Sequence, residues 1–177
     1  MTEPRWAHRA ILHSSVPDSP VNRLNLFRTC GPCHITQAAA FSTSLHRVLL
    51  DAGETRAPSC STCHGEMDTR VPSPEILEAK CASCHPPGSA RAAYPAAARA
   101  GIEEIAGIRT RLAAFSSEIT AVGDAEFRLE LRMRWETASQ ATASAVTAFH
   151  AFDLPRMASW LEVARRETGG VAHGIGR

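Results

Sequence analysis

The chain has 177 residues, 44% of them hydrophobic and 6% aromatic, and its formal net charge is +1. This length fits one compact domain, and a charge so near neutral gives no reason to expect nucleic acid or a charged membrane surface as a partner. The chain lacks any apolar run of about 18 residues, so we predict no transmembrane segment.

The first 29 residues are predicted to be mostly irregular. Pro4, Pro17 and Pro20 would each interrupt a helix, and no apolar stretch typical of a secretory signal peptide follows the first residues. Two histidines, His8 and His13, lie in this segment. A histidine in an irregular arm is ordinarily a solvated surface residue.

The sequence Cys-x-x-Cys-His occurs three times, at residues 30–34, 60–64 and 81–85, and uses all six cysteines. It is the attachment signature of c-type haem. The two thiols form thioethers with the vinyl groups of one porphyrin, and the histidine reaches the iron beneath the ring. We therefore predict three covalently bound haem c groups. The attachment residues would be Cys30, Cys33, Cys60, Cys63, Cys81 and Cys84, and the iron ligands would be His34, His64 and His85.

Three other uses of these cysteines compete with haem attachment. An even cysteine count fits a disulfide framework, and Cys-x-x-Cys by itself fits a redox dithiol or half of a zinc site. None of them explains why histidine follows the second cysteine in every copy. Six thiolates and three adjacent histidines also divide poorly into closed tetrahedral zinc sites. Haem is therefore the interpretation we adopt.

Covalent haem would also account for the composition. Three porphyrins would supply the apolar bulk that few aromatic residues provide, so folding should depend on haem as zinc-finger folding depends on metal. Haem c is attached outside the cytoplasmic membrane, so we expect a periplasmic or extracytoplasmic protein whose leader is absent from this chain. Of the 19 basic residues 18 are Arg, whose planar guanidinium pairs with carboxylates. Candidate partners for haem propionates are Arg9, Arg23, Arg28 and Arg47, although a GC-rich genome explains the arginine preference equally well.

A short helix is predicted over residues 41–50, between the first two motifs. Phe41, Leu45 and Leu49 would share one of its faces, and His46 borders that face. Three irons need ligands on their second faces, and few histidines remain to supply them. This shortage favours His46 as an iron ligand over a residue that merely packs.

A second short helix is predicted immediately before the third motif. Ser73 is a candidate N-cap with Pro74 at the first helical position, and the helix runs into Cys81. Because few residues separate the second motif from the third, we expect the second and third haems to be close neighbours.

The C-terminal half is predicted to form an antiparallel helical hairpin. Apolar residues recur at helical spacing over residues 102–122 and again over 127–149. Gly123 and Asp124 mark the turn between the two helices. The apolar stripes are typical of helix packing, and His150 stands at the end of the second helix.

These elements predict a mostly α fold with extensive irregular structure, a multihaem cytochrome c organised by its haems. Residues 1–98 would bind the three haems, residues 99–168 would form the hairpin and a terminal helix, and residues 169–177 would form a flexible glycine-rich tail. A flexible ligand loses conformational freedom when it binds, so His173 is a poor candidate. All three parts would belong to one compact domain.

The motifs and the segments around them resemble the multihaem cytochromes of the hydroxylamine-oxidoreductase-like superfamily and their small electron-transfer relatives. That family repeats a unit in which Cys-x-x-Cys-His is followed by a helix Phe-x-x-Ser-[Ile/Leu]-His and then by Cys-x-x-Cys-His-Gly-x-His. Residues 41–46 and 60–67 match those parts. Residues 19–26 resemble the segment that often begins a unit, and residues 150–152 match the ligand histidine of the family's closing helices.

The resemblance implies which residues bind the second face of each iron. His46 and His150 correspond by position to such ligands, and His8 resembles the second histidine of a Cys-His-Gly-x-His-x-Ile segment whose own haem motif this chain lacks. Met67 stands where the family has histidine, so it is either an axial ligand that would raise one haem's potential or a packing residue. The count of remaining histidines favours three bis-histidine haems completed by His8, His46 and His150.

Haems with side chains on both faces have no position for substrate, so we predict an electron carrier between redox-protein partners and not an enzyme. Two alternatives remain open. One is a small multihaem reductase with one open haem, although the chain has no Cys-x-x-Cys-Lys variant and Tyr94 is its only tyrosine. The other is a cytochrome subunit of a larger electron-transfer complex, membrane-associated or polymeric.

Overall fold

The computed structural model of the chain describes residues 14–65 and 71–176, and this part is mostly helical. It is 70% helix and contains no strand in the described ranges, which confirms the predicted mostly α class. The helices are α1 (Leu26–Cys30), α2 (Ile35–Ser42), α3 (Leu45–Asp51), α4 (Cys60–His64), α5 (Pro74–Ala82), α6 (Tyr94–Ala121), α7 (Ala125–His150) and α8 (Leu154–Ile175). None of these helices is long and apolar enough to cross a membrane.

An irregular but hydrogen-bonded segment precedes α1. Asn22 is buried in it, and its side-chain amide donates to the backbone oxygen of Ser14 at 2.9 Å. Arg23 donates to the backbone oxygens of Thr55 and Ala57. The guanidinium of Arg23 therefore holds this segment against the loop before α4, whereas the sequence suggested it as a propionate partner.

The helix predicted over residues 41–50 is divided at Ser44 into α2 and α3. The Ser44 hydroxyl accepts a hydrogen bond from the Arg47 backbone N–H at 3.1 Å and donates one to the Phe41 carbonyl at 2.7 Å. This capping ends one helix and starts the next. Phe41 is buried while Leu45 is 62% exposed, so the predicted common apolar face is wrong.

The helix α5 begins as the sequence predicts. Ser73 is its N-cap and accepts from the Ile76 backbone N–H at 3.4 Å, with Pro74 at the start of the helix. The helix continues through Cys81, so the third motif begins inside it. The cap therefore fixes the place where the chain enters this motif.

Helices α6, α7 and α8 pack together around the main hydrophobic core. Its members lie on the facing sides of the three helices, and small alanines on α7 allow the helices to approach closely. They are Ala98, Ile105, Ile108, Leu112, Ala138, Ala141, Ala145, Ala148, Leu154, Met157, Leu161 and Ala164. The indole N–H of Trp135 donates to the Leu112 carbonyl at 2.7 Å, which joins α7 to α6.

Two predicted boundaries in the C-terminal half are wrong. The helix α6 begins at Tyr94, within the range 1–98 that the sequence assigned to haem binding. Pro95 lies in its first turn, where a missing N–H breaks no helical hydrogen bond. The helix α8 continues to Ile175 through the predicted flexible tail. Val171 and Gly174 are buried against α7 there, and this packing outweighs the low helix propensity of glycine.

Two helices next to the motifs pack on the C-terminal helices. The helix α2 packs against α7, and α5 packs against α6. Arg99 of α6 pairs with Glu75 at 3.2 Å and with Glu78 at 3.0 Å, both on α5. The first motif, which α2 follows, and the third, which begins in α5, are thereby placed beside the long helices.

Candidate functional site

Four of the predicted ligand histidines form two pairs. The ring centroids of His64 and His150 lie 6.4 Å apart, and their planes differ by 7°. The ring centroids of His46 and His85 lie 6.1 Å apart at 60°. Each pair combines a histidine that ends a Cys-x-x-Cys-His motif with one from a distant part of the chain. The sequence left these pairings open.

Both separations suit two imidazoles bound to opposite sides of one metal ion. A metal–nitrogen bond of about 2 Å on each side, with about 1 Å from each nitrogen to its ring centre, places the centroids about 6 Å apart. The centroid separations of both pairs therefore match the one expected for two histidines bound to one metal ion.

His150 ends α7, and its Nδ1 lies 2.8 Å from the Val146 carbonyl oxygen. A carbonyl only accepts hydrogen bonds, so a neutral ring in this position carries its proton on Nδ1 and keeps the lone pair on Nε2. A backbone carbonyl is a usual outer partner of a metal-binding histidine. Burial lowers the pKa of His150; the bond to Val146 opposes this, and His64 and His34 lower the pKa further. These effects favour the neutral, metal-binding form.

His46 is held by an aromatic contact. Its ring meets that of Phe152 edge to face, with centroids 4.1 Å apart at 75°. Its Nδ1 is buried and has no hydrogen-bond partner among the described residues. Burial lowers the pKa of His46, and the neighbouring His85 and Arg91 lower it further. These effects favour the neutral form of the ring, in which one nitrogen keeps a lone pair that can bind a metal.

All six motif cysteines are described, and none forms a disulfide. Burial raises the pKa of the Cys60 thiol, and the nearby Cys30 raises it further. Burial and the nearby Cys81 raise the pKa of Cys63 to about 11. The reactive thiol of a redox dithiol typically has a lowered pKa, so the raised pKa values of Cys60 and Cys63 do not favour that use of the second motif. Because Cys30 of the first motif influences Cys60 and Cys81 of the third influences Cys63, the second motif lies beside both of the others.

Large apolar side chains are exposed around the motifs. Of the nine exposed large hydrophobic residues described, seven lie between residues 24 and 76: Leu24, Ile35, Leu45, Val48, Leu49, Val71 and Ile76. Ile35 directly follows the first motif and is 70% exposed. A concentration of exposed apolar surface marks a place where something apolar binds. The faces of porphyrins would cover such a surface.

The described residues do not favour a zinc site. Within residues 14–65 and 71–176, no group of three or more His, Cys, Asp or Glu is placed to hold a metal ion, whereas structural zinc takes a full tetrahedral set of protein ligands. Two histidines at the separation of each pair suit a metal whose other positions are filled by a macrocycle, as in haem.

The structure does not test the second iron ligand predicted for the first motif. His8, His13 and Met67 lie outside the described residues, so their predicted roles are not tested. His34 is described and exposed, and it lies close enough to His150 to lower the pKa of that residue.

Three residues beside the histidine pairs could not be predicted from the sequence. The ring of Tyr94 lies 6.3 Å from that of His85, and the Arg91 guanidinium lies 5.0 Å above the Tyr94 ring. Phe152 contacts His46. Phe152 belongs to the segment that resembles the family's closing helices, but its contact with α3 depends on the tertiary fold.

No protein-family model matches the chain, and neither a curated protein nor a solved structure is significantly similar to it. The resemblance to the hydroxylamine-oxidoreductase-like superfamily therefore stays a prediction.

Proposed function

We propose that this chain is a trihaem c-type cytochrome that transfers electrons between redox-protein partners through closely packed haems. The observation that carries the proposal is the pairing of His64 with His150 and of His46 with His85, each at a separation that suits one iron. The three Cys-x-x-Cys-His motifs support the identity of the cofactor, and the pairs support histidine on both faces of two irons.

Each haem would have its own set of residues. The second would be held by Cys60, Cys63, His64 and His150. The third would be held by Cys81, Cys84, His85 and His46. The first would be held by Cys30, Cys33 and His34, with His8 as the predicted second ligand and Met67 as the alternative. A hairpin of α6 and α7, followed by α8, would support the sites and supply His150.

Bound haem would supply one-electron chemistry at its iron. The protein would fill both faces of the iron with neutral imidazoles, which leaves no position for substrate and limits the site to electron transfer. Histidine on both faces would keep the reduction potentials low, and a methionine ligand would raise one of them. The neighbouring cysteines of adjacent motifs, Cys30 with Cys60 and Cys63 with Cys81, support close packing of the haems.

The proposal includes a location and a kind of partner. Covalent haem attachment outside the cytoplasmic membrane implies a periplasmic or extracytoplasmic protein. The partners would be other redox proteins, or neighbouring subunits of a larger electron-transfer complex or cytochrome polymer.

The test is a mass measurement combined with a redox titration of the purified protein. We expect the mass of the chain plus three haems, low-spin spectra in both oxidation states, and no stoichiometric binding of carbon monoxide to the reduced form. A colourless protein with the mass of the polypeptide alone would refute the cofactor. Rapid stoichiometric binding of carbon monoxide to the reduced form would instead favour a reductase with an open haem.

A further inference from the structure

Phe152 has a backbone conformation that is rare for a bulky residue. Its φ is 57°, and it is the only non-glycine residue with positive φ in the described part of the chain. Side chains with a Cβ avoid this left-handed region because of steric contact with the backbone. A bulky residue persists in such a conformation only where its surroundings hold it, and such positions cluster at functional sites.

The backbone role of this position does not require phenylalanine. Phe152 occupies the left-handed position of a Schellman motif that ends α7: its N–H donates to the Phe149 carbonyl at 2.9 Å, and the Asp153 N–H donates to the Ala148 carbonyl at 3.0 Å. Glycine would make the same two hydrogen bonds without strain and is the usual residue there. The side chain must therefore account for the choice of residue.

The ring of Phe152 lies against a predicted iron ligand. Its centroid is 4.1 Å from that of His46, edge to face, and 6.2 Å from that of Phe41. Metal-binding histidines are normally oriented by a hydrogen bond from the second ring nitrogen, as His150 is by the Val146 carbonyl. His46 has no such bond among the described residues, and the Phe152 ring is the contact that takes its place.

We propose that Phe152 is a positioning residue that sets the orientation of His46 and, through the end of α7, the placement of His150. This inference rests on the proposed function, because it concerns the ligands of two haems. The ring of Phe152 contacts His46. The left-handed backbone of Phe152 ends α7 two residues after His150. One residue thus links the histidine pairs of the second and third haems.

The test compares Phe152→Gly with Phe152→Tyr in the haem-loaded protein. Glycine relieves the backbone strain and keeps both hydrogen bonds of the motif, yet it removes the ring. We expect about one third of the iron to become high-spin and to bind carbon monoxide, together with a shift in the midpoint potential of one haem. Tyrosine keeps the ring and should preserve the native spectrum and potentials.

Phe115→Ala is the matched control, since Phe115 is also a half-buried phenylalanine but packs with Ile119 and Leu131, in a different cluster. It should lower thermal stability and leave the spectra unchanged.

Should Phe152→Gly yield no haem-loaded protein, Phe152→Leu provides the same readouts, because leucine keeps apolar bulk without a ring. A native spin state and native potentials in Phe152→Gly, or in Phe152→Leu if only that variant binds haem, would overturn the inference. Loss of the native spectrum in Phe152→Tyr would also overturn it. Absence of covalent haem from the unmodified protein would instead refute the proposed function.

Discussion

The imidazole rings of His64 and His150 lie nearly parallel, with centroids 6.4 Å apart and 7° between their planes. His64 ends the short helix of the second motif, and His150 ends the long helix α7. The pair therefore joins the motif region to the C-terminal helices. A haem held between the two rings would link the halves of the chain as well as carry electrons.

Replacing His150 with alanine should open one face of the second haem. The haem would stay attached, because Cys60, Cys63 and His64 are unchanged, so the mass should fall only by the side-chain difference. One iron should become high-spin and bind carbon monoxide, at about one equivalent per three haems. Carbon monoxide titration of the reduced protein measures this directly.

His173→Ala is the control for this experiment, because His173 is exposed on α8 and outside both histidine pairs. It should leave the spectrum and carbon monoxide binding as in the unmodified protein. A fully low-spin His150→Ala variant would contradict the pairing of His64 with His150 and assign the second face of that iron to another residue.

A chain that cannot attach haem should keep its C-terminal helices and lose its motif region. The main core of α6–α8 contains twelve buried apolar residues, whereas the cluster around Phe41 contains three. Six of the twelve are larger than alanine, and burial of each large apolar side chain contributes about 1.5–3 kcal/mol, so we expect only the larger core to fold unaided. Hydrogen exchange on a variant with all six cysteines changed to alanine would measure this.

In that variant we expect amide protection over residues 94–175 and little over residues 26–82. The haem-loaded protein is the reference and should show protection in both ranges. Equal protection of the two ranges in the haem-free variant would contradict the idea that porphyrins supply apolar bulk to the motif region.

The parts of the site that depend on local sequence could be predicted. The Ser73 cap at α5 and the long helix α7 follow from residue type and spacing, and the structure confirms both. The Cys-x-x-Cys-His motifs are local as well, and the haem attachment that they indicate stays a prediction.

The parts that depend on tertiary contact could not be predicted. Spacing along the chain does not show that His64 meets His150 or that Phe152 meets His46, because these contacts join residues on separate helices. The break at Ser44 was missed because its side chain caps a helix inside an apparently continuous apolar pattern. The glycines of residues 169–177 predict a flexible tail because glycine has a low helix propensity. Helix propensity carries no information on the burial of Val171, which holds this segment in α8.

Ser44→Ala should destabilise the motif region by about 1 kcal/mol, the usual effect of losing a helix N-cap. Ser44 is 3% exposed and makes two hydrogen bonds that define the junction of α2 and α3. Ser42→Ala is a matched control, because the exposed Ser42 hydroxyl only donates to the Ala39 carbonyl. Its effect should stay within about 0.5 kcal/mol. Urea denaturation of the haem-loaded protein compares the two, and equal effects would contradict the capping role.

Gly107→Ala should stabilise the C-terminal helices. Gly107 lies inside α6, and a Cβ added there would meet no atom within 4 Å. Alanine would therefore bring its better helix propensity, about 1 kcal/mol, without a steric penalty. A rise in the urea midpoint with an unchanged slope is the expected result, and a fall would show that the space beside Gly107 is filled.

Gly174→Ala should have the opposite effect, although it is the same substitution in another long helix. A Cβ on Gly174 would lie 2.4 Å from Leu131 Cδ2 and 3.3 Å from Phe127 Cζ. Leu131 is 1% exposed and cannot move into solvent, so α8 would have to shift away from α7, with a loss of about 1–3 kcal/mol. The same urea experiment decides the point. An unchanged or raised midpoint for Gly174→Ala would mean that α8 does not pack closely on α7 near Gly174.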